Sequence, residues 1–260
     1  MNDTANILMP ASDEPEIGAA VRCTDLFSRL GVTPYYKNQW CAVLHGDCRE
    51  IMPKMKPEIF DCLVTDPPYG VGFVSNNRKE SWGAIVGDDD SLDVMACLDL
   101  ALTRCSDGAH WYVFGPWNLS TLRKSATVQL IWDKEKMSGG DLDCAWGNAH
   151  EPITFGTNAR FKSQMGRGGI AARKRRGTVL RVRAQGGNGC LNHPTEKPAA
   201  LLRQLIESST IFGESILDPF VGSGSTLVAA QMEGRYAVGI EYEERHCETA
   251  AKRLEQLGAW

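Results

Sequence analysis

Residues 215–230 read SILDPFVGSGSTLVAA, and this stretch decides the fold class of the 260-residue chain. Its start, SIL, predicts a buried strand, and the run that follows the glycines predicts a helix. Between them, Gly222 and Gly224 predict a tight turn, because glycine adopts backbone conformations that other residues avoid. The apolar run YAVGI, closed by Glu241, predicts a second strand. A strand, a helix and a strand in this order indicate a parallel sheet.

The same alternation of strands and helices extends over most of the chain. Apolar runs predict strands at residues 40–44, 60–65, 109–114, 127–132, 153–156, 215–217 and 236–240. Helices are predicted at residues 49–55, 91–104, 198–208, 226–233 and 244–257, the second of them capped by Ser91. Polar, glycine-rich residues 71–90 predict a mobile loop. The expected fold is therefore α/β, with a mainly parallel, doubly wound sheet.

Composition excludes several classes of protein. The chain is 43% hydrophobic, which suffices for one sizeable core, and no apolar run approaches the roughly 20 residues that span a bilayer. The first 22 residues are polar and acidic, predict a flexible tail and lack the pattern of a signal peptide. Nine cysteines without a C-x-x-C pair predict buried thiols in a reducing compartment and no metal site. We therefore expect a cytoplasmic protein.

The net charge of −4 conceals a basic segment. Between Pro152 and Thr195 the chain has nine of its 28 basic residues and no acidic one, so the remainder carries 19 basic and 32 acidic residues. This pattern predicts an arm that binds a polyanion such as nucleic acid, and the alternative is a solvated, disordered surface loop. The nine residues are Arg160, Lys162, Arg167, Arg173, Lys174, Arg175, Arg176, Arg181 and Arg183.

The glycine turn and Glu241 predict a binding site for a nucleoside. Glu241 lies 17 residues after Gly224, at the end of the next strand, where a carboxylate can accept hydrogen bonds from both hydroxyls of a ribose. Leu227 interrupts the G-x-G-x-x-G pattern, and the sequence has no G-x-x-x-x-G-K-[ST] motif. A nucleoside cofactor without phosphates therefore fits better than NAD or ATP, and a side chain at Gly224 is expected to clash with it. The alternative is that Glu241 is a solvated strand end.

The tetrapeptide DPPY, residues 66–69, follows the strand at residues 60–65 and so lies at the carboxyl edge of the sheet, where open α/β folds bind ligands. The Asp66 carboxylate and the Pro67 carbonyl can each accept one N–H of an amino group on a base. These bonds localise the nitrogen lone pair for attack on a methyl group, and the prolines hold the acceptors in place. The Tyr69 ring can stack on a base flipped out of a duplex. The alternative is a tight turn with a surface tyrosine.

With these features the chain resembles the DNA amino-methyltransferases, which modify N6 of adenine or N4 of cytosine, over about residues 40–257. DPPYG matches the catalytic motif of that family, and DPFVGSGST matches its cofactor motif. Their order, with a basic insert between them, resembles the circularly permuted β group. The resemblance implies a class I, Rossmann-like sheet of seven strands with one antiparallel strand near an edge. It also implies S-adenosyl-L-methionine as the cofactor and double-stranded DNA as the partner.

The resemblance assigns roles to further motifs. Residues 45–47, HGD, resemble the motif whose aspartate contacts the cofactor adenine, and residues 193–198, HPTEKP, resemble the motif that holds its methionine end. Residues 148–153, NAHEPI, resemble the segment just before the target-recognition region. The implied catalytic residues are Asp66, Pro67, Pro68 and Tyr69. The implied cofactor-binding residues are Asp47, Asp66, Thr195, Lys197, Asp218, Phe220, Gly222, Gly224, Ser225, Thr226 and Glu241. The nine basic residues of the insert are the predicted DNA-binding residues.

The same resemblance bears on the target base. Aspartate at the first position of the catalytic motif favours adenine-N6 methylation in this family, whereas serine favours cytosine-N4. The alternatives are a cytosine-N4 enzyme, an enzyme that acts on RNA or on a protein amide, and a nucleic-acid-binding module without activity. The intact Asp66, Tyr69 and Glu241 argue against the last. The arginines of the insert can read guanine edges or clamp phosphates, so the recognition sequence stays open.

The motifs divide the chain into four predicted parts. These are a tail at residues 1–22, a catalytic part at 23–156, a basic target-recognition insert at 157–190 and a cofactor-binding part at 191–260. We expect the protein to be associated with the nucleoid. Some relatives dimerise, and the sequence leaves open both a homodimer and a cognate restriction endonuclease as partner.

Overall fold

One nine-stranded sheet forms the centre of the molecule. The structure, a computed structural model, describes residues 26–68, 92–117, 119, 122, 127–136, 145–158, 176–184 and 196–257. The strands are β1 (Tyr36–Lys37), β2 (Cys41–His45), β3 (Phe60–Thr65), β4 (Cys105–Phe114), β5 (Val128–Asp133), β6 (His150–Asn158), β7 (Val179–Arg181), β8 (Ser215–Asp218) and β9 (Tyr236–Glu241). Their order is β1-β2-β9-β8-β3-β4-β6-β5-β7, so β3 is the middle strand. The predicted tail and the predicted mobile loop lie outside the described residues.

The sheet is mostly parallel, as the sequence predicts. β2, β9, β8, β3 and β4 pair in parallel, and so do β5 and β7. β1 runs antiparallel to β2, and β6 runs antiparallel to both β4 and β5. The expectation of seven strands with one antiparallel strand is therefore wrong in its numbers. The additional strands, β1 and β7, have two and three residues at the open edges and are too short to carry a hydrophobic pattern.

Helices cover both faces of the sheet. In the described part of the chain they are α1 (Cys48–Ile51), α2 (Val94–Arg104), α3 (Ala199–Ser209), α4 (Ser225–Met232) and α5 (Glu244–Leu257). The predictions for residues 198–208, 226–233 and 244–257 are confirmed to within one residue. This arrangement confirms the doubly wound α/β class.

Two predicted helices differ from the observed ones. The predicted helix at residues 49–55 divides into α1 and a 3-10 turn at Met52–Lys54, because Pro53 has no N–H to continue an α-helix. α2 begins three residues later than predicted: the Asp93 carboxylate caps it by accepting a hydrogen bond from the Ala96 N–H at 2.9 Å. The N-cap is therefore Asp93 and not Ser91.

Two apolar layers form the core, one on each face of the sheet. α1 and α2 cover one face, where Met52, Leu98 and Trp111 are buried, and α3, α4 and α5 cover the other. β3 contributes to both layers, with Leu63 in the first and Val64 in the second, because successive side chains of a strand point to opposite faces. With both faces of the central strands covered in the described chain, the ends of these strands are the places where a ligand can bind.

The described residues also bear on the cysteines, on metal and membrane binding and on the basic insert. The cysteines among them are all buried and free: Cys41, Cys48, Cys62, Cys97, Cys105 and Cys247. Within the same ranges no cluster of His, Cys, Asp and Glu is suited to a metal ion. None of the helices described above is long and apolar enough to cross a membrane. Residues 179–181 of the predicted insert form β7, so this part of the insert belongs to the main sheet.

Candidate active site

Three carboxylates meet at the carboxyl edge of the central strands. Asp66 follows β3, Asp218 ends β8 and Glu241 ends β9. These strands are neighbours and parallel, so their carboxyl ends lie side by side. The Thr65 hydroxyl donates a hydrogen bond to Asp218 Oδ1 at 2.7 Å and joins the two motifs directly. The DPPY loop and the glycine turn, which are distant in sequence, therefore form one site.

Lys197 fixes Asp66 through an ion pair. Its Nζ atom lies 2.7 Å from Asp66 Oδ2 and 2.8 Å from Glu151 Oε1, and Lys134 Nζ lies 3.2 Å from Glu151 Oε2. Burial alone would lower the pKa of Lys197, but the two carboxylates outweigh it and raise that pKa. Burial would raise the pKa of Glu151, but the two lysines lower it overall. We call this chain of alternating charges, Lys134-Glu151-Lys197-Asp66, the charge relay of the site.

The other residues of the catalytic motif fall partly within the described chain. Pro67 is buried and Pro68 is half-buried, so the backbone after Asp66 is packed in place. Tyr69 lies outside the described residues, as does Thr195 of the cofactor set, and their roles stay predictions. Lys197 contacts Asp66 in this structure, and its predicted role at the methionine end of a cofactor stays a prediction.

Gly222 leaves space beside Glu241. The Gly222 N–H donates to Glu241 Oε2 at 2.9 Å, and the Glu243 N–H donates to Oε1 at 2.8 Å. Gly222 has a left-handed φ of 52°, and a Cβ built there would meet no atom within 4 Å. Burial raises the pKa of Glu241, although the two N–H donors oppose the shift. A carboxylate has about four lone-pair positions, so Glu241 can accept two further hydrogen bonds from a ribose.

Gly224 allows the turn to pack closely against α5. Its φ is 86°, and a Cβ built there would lie 2.8 Å from the Cβ of Ala250 on α5. A side chain at Gly224 would therefore strike α5, and the expected clash with the cofactor stays a prediction. Two glycines that look equivalent in the sequence thus have different reasons to be glycine.

Asp218 stabilises the glycine turn through buried hydrogen bonds. It is 3% exposed, and its Oδ1 atom accepts hydrogen bonds from the Thr65 hydroxyl and, at 3.1 Å, from the Phe220 N–H. Burial raises the pKa of Asp218 to about 6, although these donors and the Thr226 hydroxyl oppose the shift. A carboxylate that is buried and bonded in this way shapes the loop and does not face solvent.

The described cofactor residues that the resemblance implies therefore form two groups, one buried and one partly exposed. Those that are buried and build the turn are Asp218, Gly224, Ser225 and Thr226. Those that stay partly exposed are Asp47, Asp66, Lys197, Phe220, Gly222 and Glu241. Contact with a cofactor stays a prediction for every one of them, and the second group has the surface to make it.

Asp47 lies one strand away from Glu241. The Gly46 N–H donates to the Glu241 carbonyl at 2.9 Å and joins the end of β2 to the end of β9. The Asp47 carboxylate caps α1 through the Arg49 N–H at 2.8 Å and pairs with the Arg49 guanidinium at 2.6 Å. Arg49 keeps the pKa of Asp47 below its usual range. Asp47 thus adds an ionised carboxylate to the same edge as Glu241.

Arg253 is a site residue that sequence reasoning misses. From α5 its Nη1 atom donates to the Ser223 carbonyl at 2.8 Å and to Ser225 Oγ at 3.2 Å, and its Nη2 atom pairs with Glu196. It therefore ties the glycine turn to the segment that carries Lys197. No motif marks it, because it is one charge among many on an amphipathic helix. Glu151 and Lys134 are missed in the same way as partners of Lys197.

The described part of the basic insert is partly neutralised. Arg176 Nη2 lies 2.6 Å from Glu207 Oε2 on α3, and Arg181 Nε lies 3.5 Å from Asp133 Oδ2 at the end of β5. Arg183 is exposed. The segment has no acidic residue in sequence, but folding places acidic residues beside two of its arginines. The predicted DNA-binding residues outside the described chain are Arg160, Lys162, Arg167, Arg173, Lys174 and Arg175.

The sheet, with its site at the carboxyl edge, defines a class I, Rossmann-like methyltransferase fold. The family model described as DNA methylase, which covers the N6 and N4 enzymes, matches residues 129–252, from β5 into α5. Over these residues the chain is similar to that family. The matched region includes Glu151, Lys197, the glycine turn and Glu241.

Two curated methyltransferases are similar to the chain over most of its length. The chain is 28% identical over 256 residues to the type II methyltransferase M2.DpnII of Streptococcus pneumoniae, covering 87% of this chain and 94% of that protein. It is 27% identical over 259 residues to the DNA adenine methyltransferase YhdJ of Escherichia coli K12, covering 87% of each. Its fold is similar to the crystal structure of the M1.HpyAVI-SAM complex, with a TM-score of 0.59, 18% identity and coverage of 82% and 98%.

Proposed function

We propose that the protein is an S-adenosyl-L-methionine-dependent DNA methyltransferase that modifies N6 of adenine in duplex DNA after base flipping. The observation that carries the proposal is the Asp66 carboxylate, held 2.7 Å from Lys197 beside the turn of Gly222 and Glu241. An amino-group acceptor and a ribose acceptor at one edge of the sheet, two strands apart, suit methyl transfer from a nucleoside cofactor to a base. The similarity to YhdJ, a DNA adenine methyltransferase, supports adenine as the target.

The exposed residues of the turn fit the cofactor. Glu241 has lone pairs for the two ribose hydroxyls, Gly222 leaves the space for them, and Asp47 adds a second carboxylate nearby. These negative groups disfavour a phosphate and favour a cofactor with a positive sulfonium. When bound, S-adenosyl-L-methionine supplies a methyl group that is already electrophilic. The task of the protein is then to orient the base.

Asp66 orients the base. Lys197 fixes the carboxylate through Oδ2, so its direction is set before the substrate arrives. The carboxylate and the Pro67 carbonyl accept the two amino N–H groups, and the nitrogen lone pair is left to form the new bond. Glu151 and Lys134 balance the charge of Lys197, so the relay is neutral as a whole: two lysines and two carboxylates. Such preorganised acceptors stabilise a transition state without reorganisation.

Cytosine-N4 methylation is the nearest alternative. The family includes both kinds of enzyme, and the acceptors of the site suit either amino group. Asp66 at the first motif position and the name of YhdJ favour adenine. Activity on RNA or a protein amide has less support, because the family is one of DNA methylases. A binding module without activity has the least support, because the charge relay holds the Asp66 carboxylate in a fixed orientation.

Three finer predictions accompany this function. The DNA substrate would bring the protein to the nucleoid, and imaging of a fluorescent fusion with stained DNA tests that association. A homodimer is tested by light scattering on the purified protein. A cognate restriction endonuclease is tested by asking whether modified DNA resists cleavage by an endonuclease from the same source.

Methylation of DNA of known sequence tests the main proposal. Unmodified plasmid is incubated with the protein and S-adenosyl-L-methionine carrying a labelled methyl group, and modified bases are mapped one by one. We expect N6-methyladenine at one short recurring sequence, and at most a trace of label with the Asp66→Ala variant. Label at cytosine would establish the alternative target. Label in RNA or protein but not in DNA would contradict the proposal.

A further inference from the structure

Trp146 is unusual for its exposure. It is 87% exposed, whereas the next most exposed large hydrophobic residue in the described chain, Tyr242, is 57% exposed. A tryptophan buries about 150–250 Å² when it is covered, so this side chain leaves a large apolar surface in water. Such an exposed aromatic ring is a common feature of a binding surface.

The position of Trp146 connects it to the site. It lies in the segment of residues 145–149 that leads into β6, and β6 begins at the carboxyl edge because His150 pairs with Asp133 at the end of β5. The Lys134 N–H donates to the Ala149 carbonyl at 2.9 Å and anchors this segment. Trp146 is five residues before Glu151 of the charge relay, so roughly 18 Å of extended chain at most separates them.

Charged residues surround this part of the edge. The Ala184 N–H donates to the Lys134 carbonyl at 3.0 Å, so the end of β7 adjoins the end of β5 and the tryptophan segment. From β3 to β7 the edge covers four strand spacings, or roughly 19 Å, which exceeds the width of a major groove. The basic residues of this rim are Lys134, Lys136, Arg181 and Arg183, and the acidic ones are Asp133, Glu135 and Glu151.

We infer that Trp146 is a base-stacking residue, which packs against the duplex base beside the flipped nucleotide and fills the gap that flipping leaves. The inference rests on the proposed function and assigns the residue that stabilises the opened duplex. A base presents a π-face, and stacking on an aromatic side chain does not depend on the sequence. The indole lies near enough to the Asp66 site to contact the same stretch of DNA.

The surroundings of Trp146 favour DNA over another protein. Gly147, Asn148 and His150 next to it are exposed, so the indole is a single apolar group on a polar segment. Protein interfaces usually have a broader apolar centre. A lone aromatic ring on a polar segment, beside a rim with charges of both signs, suits stacking on a single base.

The test compares Trp146→Ala with Trp146→Phe, and Phe212→Ala serves as a matched control. Phe212 is 51% exposed and precedes β8, so it lies at the opposite edge of the sheet. The probe is a duplex that contains the mapped methylation site with 2-aminopurine at the target adenine. Its fluorescence reports flipping, its titration reports affinity, and thermal melting of each variant checks folding.

We expect Trp146→Ala to weaken duplex binding by roughly tenfold and to reduce the flipping signal, because one aromatic–base stack is worth about 1–3 kcal/mol. Trp146→Phe should stay within roughly threefold of wild type, and Phe212→Ala should bind as wild type. A mismatch at the target weakens the duplex and should reduce the Trp146→Ala defect to about twofold.

Unchanged duplex affinity and flipping in a folded Trp146→Ala variant would overturn the inference. An equal loss on single-stranded DNA would also overturn it, because a gap-filling ring acts only on a duplex. A change in oligomeric state with unchanged DNA binding would assign Trp146 to a protein interface instead. If the wild-type chain neither binds nor methylates any duplex, the proposed function fails as well. If the wild-type chain binds and methylates a duplex but Trp146→Ala has no effect, only the role of Trp146 is wrong.

Discussion

The two halves of the carboxyl edge are built differently. On one side of β3, the ends of β8, β9 and β2 form the half proposed for the cofactor, called the cofactor half, where backbone N–H groups of Gly222 and Glu243 fix the carboxylate of Glu241. On the other side, the ends of β4, β5 and β7 and the start of β6 form the half proposed for DNA, called the DNA half, where ion pairs between distant side chains fix Asp66. Asp66 follows the middle strand and belongs to both.

This difference explains why one half can be recognised from the sequence and the other cannot. A site made by backbone groups needs a local sequence that bends the chain, so it appears as a contiguous motif. A site made by ion pairs needs only complementary charges on elements that folding brings together. The cofactor half is therefore visible in the sequence, whereas the relay from Lys134 to Asp66 is not.

The largest effect should follow from the residue at the junction. We expect Asp66→Ala to lower kcat by roughly 10³-fold, because it removes a preorganised acceptor of the amino group. Its affinity for S-adenosyl-L-methionine should change little, because the Glu241 side is intact. Labelled methyl transfer measures the first and calorimetry the second. Transfer at the wild-type rate would remove Asp66 from the mechanism.

Lys197→Met should damage the DNA half selectively. It leaves the carboxylates of Asp66 and Glu151 without their shared cation, and breaking a buried ion pair costs about 3–5 kcal/mol. We expect a lower free energy of unfolding and a lower kcat, because the Asp66 carboxylate loses the cation that holds it in place. The double variant Lys197→Met with Glu151→Gln should recover part of the stability. Denaturant unfolding and steady-state kinetics measure these effects, and an unchanged kcat would contradict the relay.

The buried Asp218 should make stability depend on pH. Its folded pKa of about 6 lies above its ordinary value of 3.8, so the folded state holds the proton more strongly than the unfolded state. Between about pH 4 and pH 6 the free energy of unfolding should therefore fall as pH rises, by up to about 3 kcal/mol from this group. Asp218→Asn should flatten this part of the curve. Urea unfolding at several pH values is the measurement, and an equally steep variant would exclude Asp218 as the cause.

Substitutions of the two glycines of the turn should have different effects on stability and on cofactor binding. Gly224→Val should lower stability by about 1–3 kcal/mol, because its side chain strikes Ala250 and its φ is unfavourable. Gly222→Ala should cost less stability, because its Cβ meets no atom, but should weaken cofactor binding by occupying that space. Thermal melting and calorimetry distinguish the two. A larger loss of stability at Gly222 would reverse the assignment.

The smallest effect concerns the arginines of the insert. DNA affinity should fall with salt, and Arg183→Ala should reduce the slope of log affinity against log salt by about 1. Arg176→Ala should reduce it less, because Glu207 already pairs with Arg176. Fluorescence titrations at several salt concentrations measure both slopes. A flat response in the wild type would show that the insert does not contact phosphates.

Sequence reasoning predicted the fold better at the centre of the sheet than at its margins. β3 and α5 match their predicted limits, because β3 is a mostly apolar run ended by two prolines and α5 has buried residues at helical spacing. β1 and β7 are missed, since two or three residues show no period. The cap of α2 is placed wrongly because both Ser91 and Asp93 are good N-cap residues, and only the folded backbone selects between them.

By itself the sequence determined the α/β class, the position of the catalytic loop after β3 and the pairing of the glycine turn with Glu241. These features depend on local patterns, in which a strand, a turn and a helix follow one another within a few residues. Only the tertiary structure decided that Lys197 holds Asp66, that Gly224 packs on Ala250 and that two arginines of the basic insert have acidic partners. Each of these depends on contacts between residues far apart in the chain, and such contacts leave no mark on the sequence around either residue.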